Sequence, residues 1–242
     1  MIVTIHQPES LPWLGYFSKM ASADMYILLT DCTFRKNYYQ NRNRIVRNNK
    51  LEYVTVPVES SGLSTKLIRD VQIADNWRGH MLNKCLNTIR GAYRGAPNYN
   101  ITMPVLEYEF NKSYTTICQL NRAIIYRFRE WLGITTPIVD SVVYNVGSTS
   151  SHRVADLVRA AGGDIYLSGP SGRDYLDMND FDGIDVMYHD YVHPKYSQFN
   201  SDEFIPYAST LDLLMNYSPG EARNIIMSGY NGGGQLCGNQ QS

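Results

Sequence analysis

The sequence predicts an α/β protein with a mainly parallel sheet and flanking helices. Two short apolar runs of buried-strand length, residues 2–5 (IVTI) and 25–29 (MYILL), flank a segment with apolar residues at helical spacing, LGYFSKMASAD. A strand, a helix and a strand in this order favour parallel pairing with a right-handed crossover. Residues 134–169 repeat the pattern and add a second strand–helix–strand unit.

The other elements follow from hydrophobic periodicity and from residues that start or stop helices. YVTVPV (53–58) predicts a strand, and residues 75–94 and 114–132 predict helices with an apolar stripe. In the second unit, IVDSVVY and DIYLSG predict strands. Ser150 is the candidate N-cap of the helix between them, and a Gly-Gly pair is its stop. A further capped helix is predicted at Ser209–Leu214.

Length and composition describe an ordinary globular protein. At 242 residues, with 43% hydrophobic and 19% charged residues, we expect one α/β domain over residues 1–228, which could carry a helical insertion around residues 75–133. The Gly- and Gln-rich tail, residues 229–242, is expected to be flexible and disordered. No apolar run is long enough for a membrane span, and the start lacks the features of a secretory signal.

The cysteines suggest a reducing compartment. Four of them lie far apart without a CxxC pair, which favours reduced thiols and a cytoplasmic protein with no membrane partner. They are Cys32, Cys85, Cys118 and Cys237. We expect all four to serve in packing or to lie at the surface.

Charge is unevenly distributed although the net charge is only −1. The stretch 35–50 contains basic residues and no acidic residue, with aromatic and amide side chains between them. Such a mixture suits recognition of phosphates and polar base edges, although a charge run can also be a solvated face. The basic residues are Arg35, Lys36, Arg42, Arg44, Arg47 and Lys50.

Polar residues follow the predicted strands at positions where α/β proteins bind ligands. His6 and Gln7 end the first strand, and Asp31 follows the second. Ligands of such folds lie beyond the carboxyl ends of the strands, near helix N-termini. A later strand opens into the turn SGPSGRD, where Ser171 and Arg173 could hold an anion, although a simple tight turn explains these residues equally well.

Familiar catalytic and metal motifs are absent from the sequence. There is no GxSxG, Walker loop, GxGxxG or HExxH. His189 and His193 have a His-x3-His spacing, but their segment reads as extended and stops at Pro194, so no metal site is expected. The recurring His, Arg, Asn and Tyr residues favour electrostatic handling of a phosphorylated substrate.

Several segments, in order, resemble the WbqC-like family. They are IHQPESLPWLGYFSKMASAD, NRNRI (41–45), YVTVPV, YLSGPSGRDYLD and HPKYSQFNSDEFIPYASTLDLL. Members resemble accessory enzymes of surface-polysaccharide gene clusters. Related phage proteins resemble amino acid:DNA transferases, which install an amino acid on a pyrophosphorylated hydroxymethyl pyrimidine in DNA.

The N-terminal strand–loop–helix unit also resembles the HIGH-type nucleotidyltransferases. Where those enzymes have His-x-Gly-His, this chain has Trp13-Leu14-Gly15-Tyr16. Because both histidines are absent, the resemblance implies phosphate or pyrophosphate binding at the helix start rather than nucleotidyl transfer.

These observations give a functional hypothesis. We expect a transferase that attaches a small amine or amino acid to a phosphate- or pyrophosphate-activated substrate, with modified phage DNA in the bacterial host cytoplasm as the preferred carrier. One alternative is modification of a nucleotide-linked amino sugar in O-antigen biosynthesis, and another is a non-catalytic nucleotide- or glycan-binding protein. No cofactor is expected beyond Mg²⁺ that accompanies a pyrophosphate, and the sequence does not determine the oligomeric state.

The candidate site residues have distinct expected roles. His6, with a pKa near neutrality, would act as base on the amine or as donor to the leaving group. Arginines of the basic stretch would neutralise the departing pyrophosphate, and amides and aromatic residues would orient the substrate. The catalytic candidates are His6, Gln7, Tyr16 and Arg42. The substrate-binding candidates are Tyr39, Asn41, Asn43, Arg44, Arg47, Ser171, Arg173, His193 and Tyr196.

Overall fold

A five-stranded parallel sheet organises the computed structural model, which describes residues 1–230 and residue 232. With strands numbered along the chain, the sheet has the order β5-β2-β1-β6-β7, and every neighbouring pair is parallel. The strands are β1 (Ile2–His6), β2 (Met25–Leu28), β5 (Ile138–Asp140), β6 (Ile165–Ser168) and β7 (Asp185–Tyr188). The predicted α/β fold with a mainly parallel sheet is confirmed.

The order of the strands reverses once. The chain places β2 and then β5 on one side of β1, and it returns to the other side for β6 and β7. The reversal lies between β1 and β6, and because the strands are parallel their carboxyl ends meet at one edge. Ligands of open parallel sheets bind in the crevice outside this edge, at the point of reversal.

Helices cover both faces of the sheet. They are α1 (Leu14–Ala21), α2 (His80–Tyr93), α3 (Tyr99–Asn111), α4 (Ile117–Trp131), α5 (Ser150–Ala160), α6 (Thr210–Asn216) and α7 (Pro219–Ser228). A capping box of Thr116 and Gln119 starts α4. Ser209 caps α6 as predicted, whereas α5 has Thr149 rather than Ser150 at its N-cap position.

An antiparallel hairpin departs from the expected elements. The basic stretch contains β3 (Arg42–Arg47), which pairs with β4 (Lys50–Thr55) outside the parallel sheet. The sequence placed this second strand at 53–58 and missed β3, because alternating arginines and asparagines do not look like a buried strand. Each strand nevertheless buries one apolar side chain, Ile45 and Val54, in the larger core.

Three other elements differ from the sequence prediction: one helix is divided, one strand is shorter and one helix was missed. The helix predicted at 75–94 is a short 3-10 turn, Asp75–Trp77, followed by α2, because Gly79 interrupts it with a φ of 92°. The strand predicted from residue 138 ends at Asp140 and continues as a 3-10 turn. Helix α3 was missed because it contains Pro104, which normally breaks a helix.

Two apolar clusters pack on the sheet, one for each face. In β2, Tyr26 and Leu28 point into the larger cluster with α1, and Ile27 points into the smaller one with α5. This alternation is the two-residue period of a strand buried on both faces. Both faces of the central strands are therefore closed, which leaves the edge formed by their carboxyl ends for a ligand.

The expectations about membrane spans, cysteines and the C-terminal tail have different outcomes. Within residues 1–230, no helix combines the length and the apolar character that crossing a membrane requires. Cys32, Cys85 and Cys118 are free, whereas Cys237 lies outside the described residues. Most of the expected tail also lies outside them, but Gly229 is part of the packed structure because its carbonyl accepts a bond of 2.9 Å from the Val192 amide.

Candidate functional site

A cavity of about 290 Å³ lies at the carboxyl edge of the sheet, where the strand order reverses. Three of the parallel strands contribute to the cavity at their carboxyl ends. His6 ends β1, Gly169 to Ser171 follow β6, and His189 follows β7. The lining residues are His6, Glu9, Trp13, Gly15, Tyr16, Lys19, Tyr38, Tyr39, Asn43, Arg44, Gly169, Pro170, Ser171, His189 and Tyr207. The cavity therefore joins the sheet edge, the start of α1 and the hairpin.

Buried amides hold the loop between β1 and α1 against the hairpin. The Asn43 amide donates to the carbonyl oxygens of Ser10 and Leu11, at 3.1 and 2.9 Å. From α4, the Asn121 amide donates to the carbonyl oxygens of Pro8 and Gln40, at 3.1 and 2.7 Å. Because buried carbonyl groups need partners, these bonds fix the loop and the hairpin relative to each other.

The start of α1 opens into the cavity. No side chain of the described residues caps this helix at Trp13. The Tyr16 amide donates to the Trp13 carbonyl at 3.1 Å, so the amides available to a ligand are those of Leu14 and Gly15. Gly15 is required here, because an added Cβ would lie 2.3 Å from the Trp13 ring. The indole therefore folds over the helix start and forms a wall of the cavity.

His6 is a neutral imidazole whose Nε2 is free of the hydrogen bond that Nδ1 makes with the backbone. Its Nδ1 lies 3.1 Å from the Gln7 carbonyl oxygen, so Nδ1 carries the proton and Nε2 keeps a lone pair. The ring packs edge-on against Tyr16 at 4.8 Å. Burial, and then the charge of Lys19, lower the pKa of His6 to about 3. This corrects the near-neutral pKa expected from the sequence.

Glu9 and Lys19 are site residues that sequence reasoning missed. Both are buried, with 7% and 4% of their surface exposed. Lys19 Nζ donates to the Ile5 carbonyl at 3.1 Å, whereas Glu9 Oε2 has no hydrogen-bond partner among the described residues. Burial raises the pKa of Glu9 to about 8 and lowers that of Lys19 to about 7, and each charge opposes the other's shift.

A sequence signal for Lys19 exists. It is the one charged residue in LGYFSKMA, a helix whose other positions read as apolar or small, so its side chain has to enter the core. Glu9 has no comparable signal, because a glutamate beside prolines in a loop is ordinarily solvated.

His189 forms the β7 side of the cavity. Its Nε2 lies 3.1 Å from the Ser18 hydroxyl, and its ring packs on Tyr191 and Tyr230. Burial lowers the pKa of His189 to about 3. Across the described part of the chain, no group of three or more His, Cys, Asp or Glu residues could hold a metal ion.

The hairpin brings one arginine into the cavity. Arg44 lines it, with its guanidinium 5.8 Å from the Tyr39 ring centroid and a bond of 3.3 Å to the Tyr39 hydroxyl. Arg42 instead lies over the Tyr53 ring at 4.4 Å. Arg47 pairs with a glutamate near the hairpin turn, Glu52, at 3.2 Å.

The structure brings together only part of the predicted site. The predicted residues that line the cavity are His6, Tyr16, Tyr39, Asn43, Arg44 and Ser171. Those outside its lining are Gln7, Asn41, Arg42, Arg47, Arg173, His193 and Tyr196. The expected convergence of His6, Gln7, Tyr16, Asn41 and Arg42 on one pocket therefore holds for His6 and Tyr16 alone.

The outlying residues make internal contacts. Gln7 accepts a hydrogen bond from the Gln40 side chain, and Asn41 donates to the Val56 carbonyl at 3.0 Å. Arg173 forms a two-pronged pair with Asp190, at 2.7 and 2.8 Å.

Two further outlying residues belong to the aromatic shell behind the cavity. His193 packs among aromatic rings that include Trp13 and Tyr207, both of which line the cavity. Tyr196 is buried deeper, where its hydroxyl donates to Asp212 at 2.8 Å. The hydrogen bond to Asp212 explains Tyr196 without a ligand, whereas the buried Nε2 of His193 has no hydrogen-bond partner among the described residues.

Comparison with known proteins gives a family but no activity. Residues 7–224 match the model of the WbqC-like protein family. An uncharacterized protein of Mycobacterium tuberculosis, Rv1507c, is 30% identical over 223 residues, which are 88% of this chain and 93% of that protein. No solved structure matches, and the resemblance to HIGH-type nucleotidyltransferases is not confirmed. The match covers most of the chain, including the loop, α1 and the hairpin that build the cavity, so the protein belongs to the WbqC-like family.

Proposed function

We propose that the protein is a transferase that attaches a small amine to a carbon atom carrying a phosphate or pyrophosphate leaving group. The observation that supports this most directly is the placement of an anion-binding side and a neutral base in one cavity. Arg44 and the start of α1 form the anion-binding side, and His6 is the neutral base.

The anion-binding side suits a phosphoryl group. Free amide groups at a helix start point at an anion, and the helix dipole favours its charge. The guanidinium of Arg44 adds donors that match phosphate oxygens, and its buried Nε has no protein partner among the described residues. Ser171, in the turn after β6, also lines the cavity and carries a hydroxyl that could bind a phosphate oxygen. The helix start and Arg44 would therefore neutralise the negative charge that develops on a leaving phosphate or pyrophosphate.

The neutral base suits an amine nucleophile. As the amine nitrogen forms its bond to carbon, the carbon–oxygen bond breaks and the phosphate or pyrophosphate leaves with the electron pair. The amine then loses a proton to Nε2 of His6. A bound phosphate also brings negative charge near the ring, which raises the pKa of His6 and makes it a stronger base when substrate is present.

The size and rim of the cavity support a nucleic-acid carrier. A volume of about 290 Å³ is small for a ligand site and suits one ring with its leaving group better than a whole nucleotide-sugar. Tyr38 and Tyr207 are exposed at the rim and could stack on a base. Arg35 lies 6.0 Å from the Tyr38 ring, outside the cavity. These features support a pyrophosphorylated hydroxymethyl pyrimidine turned out of DNA.

The test is transfer of isotope-labelled amino acids to two carriers. One is DNA with pyrophosphorylated hydroxymethyl pyrimidines, the other a nucleotide-linked sugar, and mass spectrometry detects the label. We expect label in nucleosides from the DNA and a loss of roughly 100-fold or more in His6→Ala, because the positioned base is removed. His152→Ala, an exposed histidine on α5, is the matched control.

Other outcomes would contradict the proposal. Label on the nucleotide sugar alone would favour the polysaccharide alternative. Tight binding of either carrier without transfer would identify a binding protein.

A further inference from the structure

The carboxyl group of Glu9 is a buried group of the cavity that lacks hydrogen-bond partners. It is 7% exposed and lines the cavity, and its Oε2 has no hydrogen-bond partner in the described structure. A buried carboxyl oxygen without a partner is costly, and proteins ordinarily pair such groups. We propose that Glu9 is the amine-binding subsite and that its free oxygen selects substrates with a protonated amino group. This inference rests on the proposed function and names the group that holds its nucleophile.

The surroundings of Glu9 match an ammonium group. Aromatic rings of Trp13, Tyr16 and Tyr39 line the same cavity, and the faces of such rings attract cations. Glu9 Oε1 lies 3.9 Å from Nδ1 of His6, so Glu9 and the ring of the proposed base are neighbours in the cavity. An ion-paired hydrogen bond in such an enclosed site is stronger than a neutral one.

The protein's own charged groups leave this subsite open. Titratable groups face Glu9 from three elements: His6 from β1, Tyr16 and Lys19 from α1, and Tyr26 from β2. None of them hydrogen-bonds to Oε2 in the described structure. The ammonium of Lys19 is directed to the Ile5 carbonyl instead.

Binding of a protonated amine should therefore release a proton. Burial raises the pKa of Glu9 to about 8, so at pH 7 the free site is mainly protonated. The cation favours the carboxylate, and the carboxyl proton passes to solvent. During transfer, the bound ammonium returns one proton to the Glu9 carboxylate. The resulting neutral amine attacks carbon and then loses its second proton to Nε2 of His6.

The test is calorimetry at pH 7 in two buffers with different heats of ionisation, in the presence of pyrophosphate. Glycine and ethanolamine are the probes, and glycolate and ethylene glycol are the matched analogues in which a hydroxyl replaces the amino group. We expect the amines to bind at least about 10-fold more tightly and to release up to one proton. Glu9→Gln should weaken amine binding roughly 10- to 100-fold, remove the proton release and retain pyrophosphate affinity. Glu203→Gln, an exposed glutamate, should change nothing.

Wild-type protein alone also tests the inference if Glu9→Gln does not fold. Proton release should disappear at pH 9, where Glu9 is already ionised. Equal affinity for amines and hydroxyl analogues, or amine binding without proton release at pH 7, would overturn the inference.

The outcomes also separate this inference from the proposed function. Amine binding with proton release in a protein that transfers nothing would support the subsite and contradict the transferase. Full transfer activity in Glu9→Gln would overturn the subsite and leave the transferase in place.

Discussion

Single polar residues in this protein divide into those that face the cavity and those that hold the chain together. Tyr196 belongs to the second group, although its sequence context suggested a ligand contact. Its hydroxyl and that of Tyr93 donate to Asp212, at 2.8 and 2.7 Å, and the Gln198 amide adds a third bond of 3.0 Å. Burial raises the pKa of Asp212, which these donors oppose. The network stabilises the fold behind the site.

Removing one donor from this network tests its structural role. We expect Tyr196→Phe to lower the free energy of unfolding by about 1–3 kcal/mol, because a buried carboxyl group loses a partner. Pyrophosphate affinity, measured by calorimetry, should not change. Tyr126→Phe, an exposed tyrosine, is the control for urea unfolding. Loss of affinity at unchanged stability would instead restore Tyr196 as a ligand contact.

Gly15 offers a second prediction for a single residue. In Gly15→Ala the added methyl group would lie 2.3 Å from the Trp13 ring, so the indole must move. We expect destabilisation of about 1–3 kcal/mol and a changed tryptophan fluorescence, because the overpacked wall shifts. Gly220→Ala is the matched control, since a Cβ added there meets nothing within 4 Å apart from its chain neighbours and the backbone of its own helix. Equal effects of both changes would show that the wall adapts easily.

Secondary-structure elements determine which of the predicted arginines reach the site. The hairpin pairs Arg42 with Thr55 at its open end and Arg47 with Lys50 at its turn. Arg44 lies between these ends, and the Asn43 amide beside it anchors the strand to the loop after β1. The strand therefore presents one arginine to the cavity and carries the others away from it.

Because only Arg44 reaches the cavity, we expect Arg44→Ala and Arg47→Ala to affect pyrophosphate binding unequally. Arg44→Ala should weaken pyrophosphate binding by roughly 10- to 100-fold, the value of a hydrogen-bonded charge pair. Arg47→Ala should leave binding unchanged and cost the fold within about 0.5 kcal/mol, because its pair with Glu52 is half exposed. Calorimetric titration of pyrophosphate into both variants measures this difference. Similar losses in both would mean that the ligand extends along the whole hairpin.

At the scale of the whole molecule, the reversal of strand order concentrates unusual titratable groups in one place. The ends of β1 and β7 and the buried face of α1 contribute His6, His189 and Lys19. All three lose solvent contact because both faces of the sheet are covered, and burial is the largest cause of each pKa shift. The cavity therefore holds two neutral histidines, His6 and His189, at neutral pH.

Stability should consequently fall between pH 6.5 and pH 5. His6 and His189 have folded pKa values of about 3, below the ordinary 6.5, so the unfolded chain binds more protons and stability is lost as the pH falls. His193, whose pKa burial also lowers, acts in the same direction. Glu9 acts oppositely, because its raised pKa of about 8 lets the folded chain hold one proton more.

For His6, His189 and Glu9, the difference in bound protons approaches one as the pH falls to 5, which is about 1.4 kcal/mol per pH unit. Near pH 6.5 the difference is smaller, because half of the unfolded histidines are still neutral. Urea unfolding at several pH values between 5 and 6.5 measures this slope. Glu9→Gln should steepen it towards about 2.7 kcal/mol per pH unit, because the opposing proton is removed. A flat profile would mean that these histidines are solvated.

Local sequence patterns determined most of the parallel sheet and part of the site. The β1–α1–β2 unit, the capped helix after Ser209 and the positions of His6 and Tyr16 at element ends were all predicted. Periodicity and capping depend on neighbours within a few residues, so the sequence shows them directly. The same patterns could not show β3, because its two buried apolar residues, Ile45 and Val46, are adjacent and stand between arginines.

Long-range packing selects the polar residues that belong to the cavity. Glu9 looks ordinary in the sequence, and no local pattern places Lys19 and His189 in the same cavity. Segments more than 160 residues apart, such as those of Ser18 and His189, meet at its wall. The pKa values of these residues shift because packing from distant segments removes water, which no local pattern records. Local patterns therefore indicate where a site can form, whereas burial by distant segments selects its chemical groups.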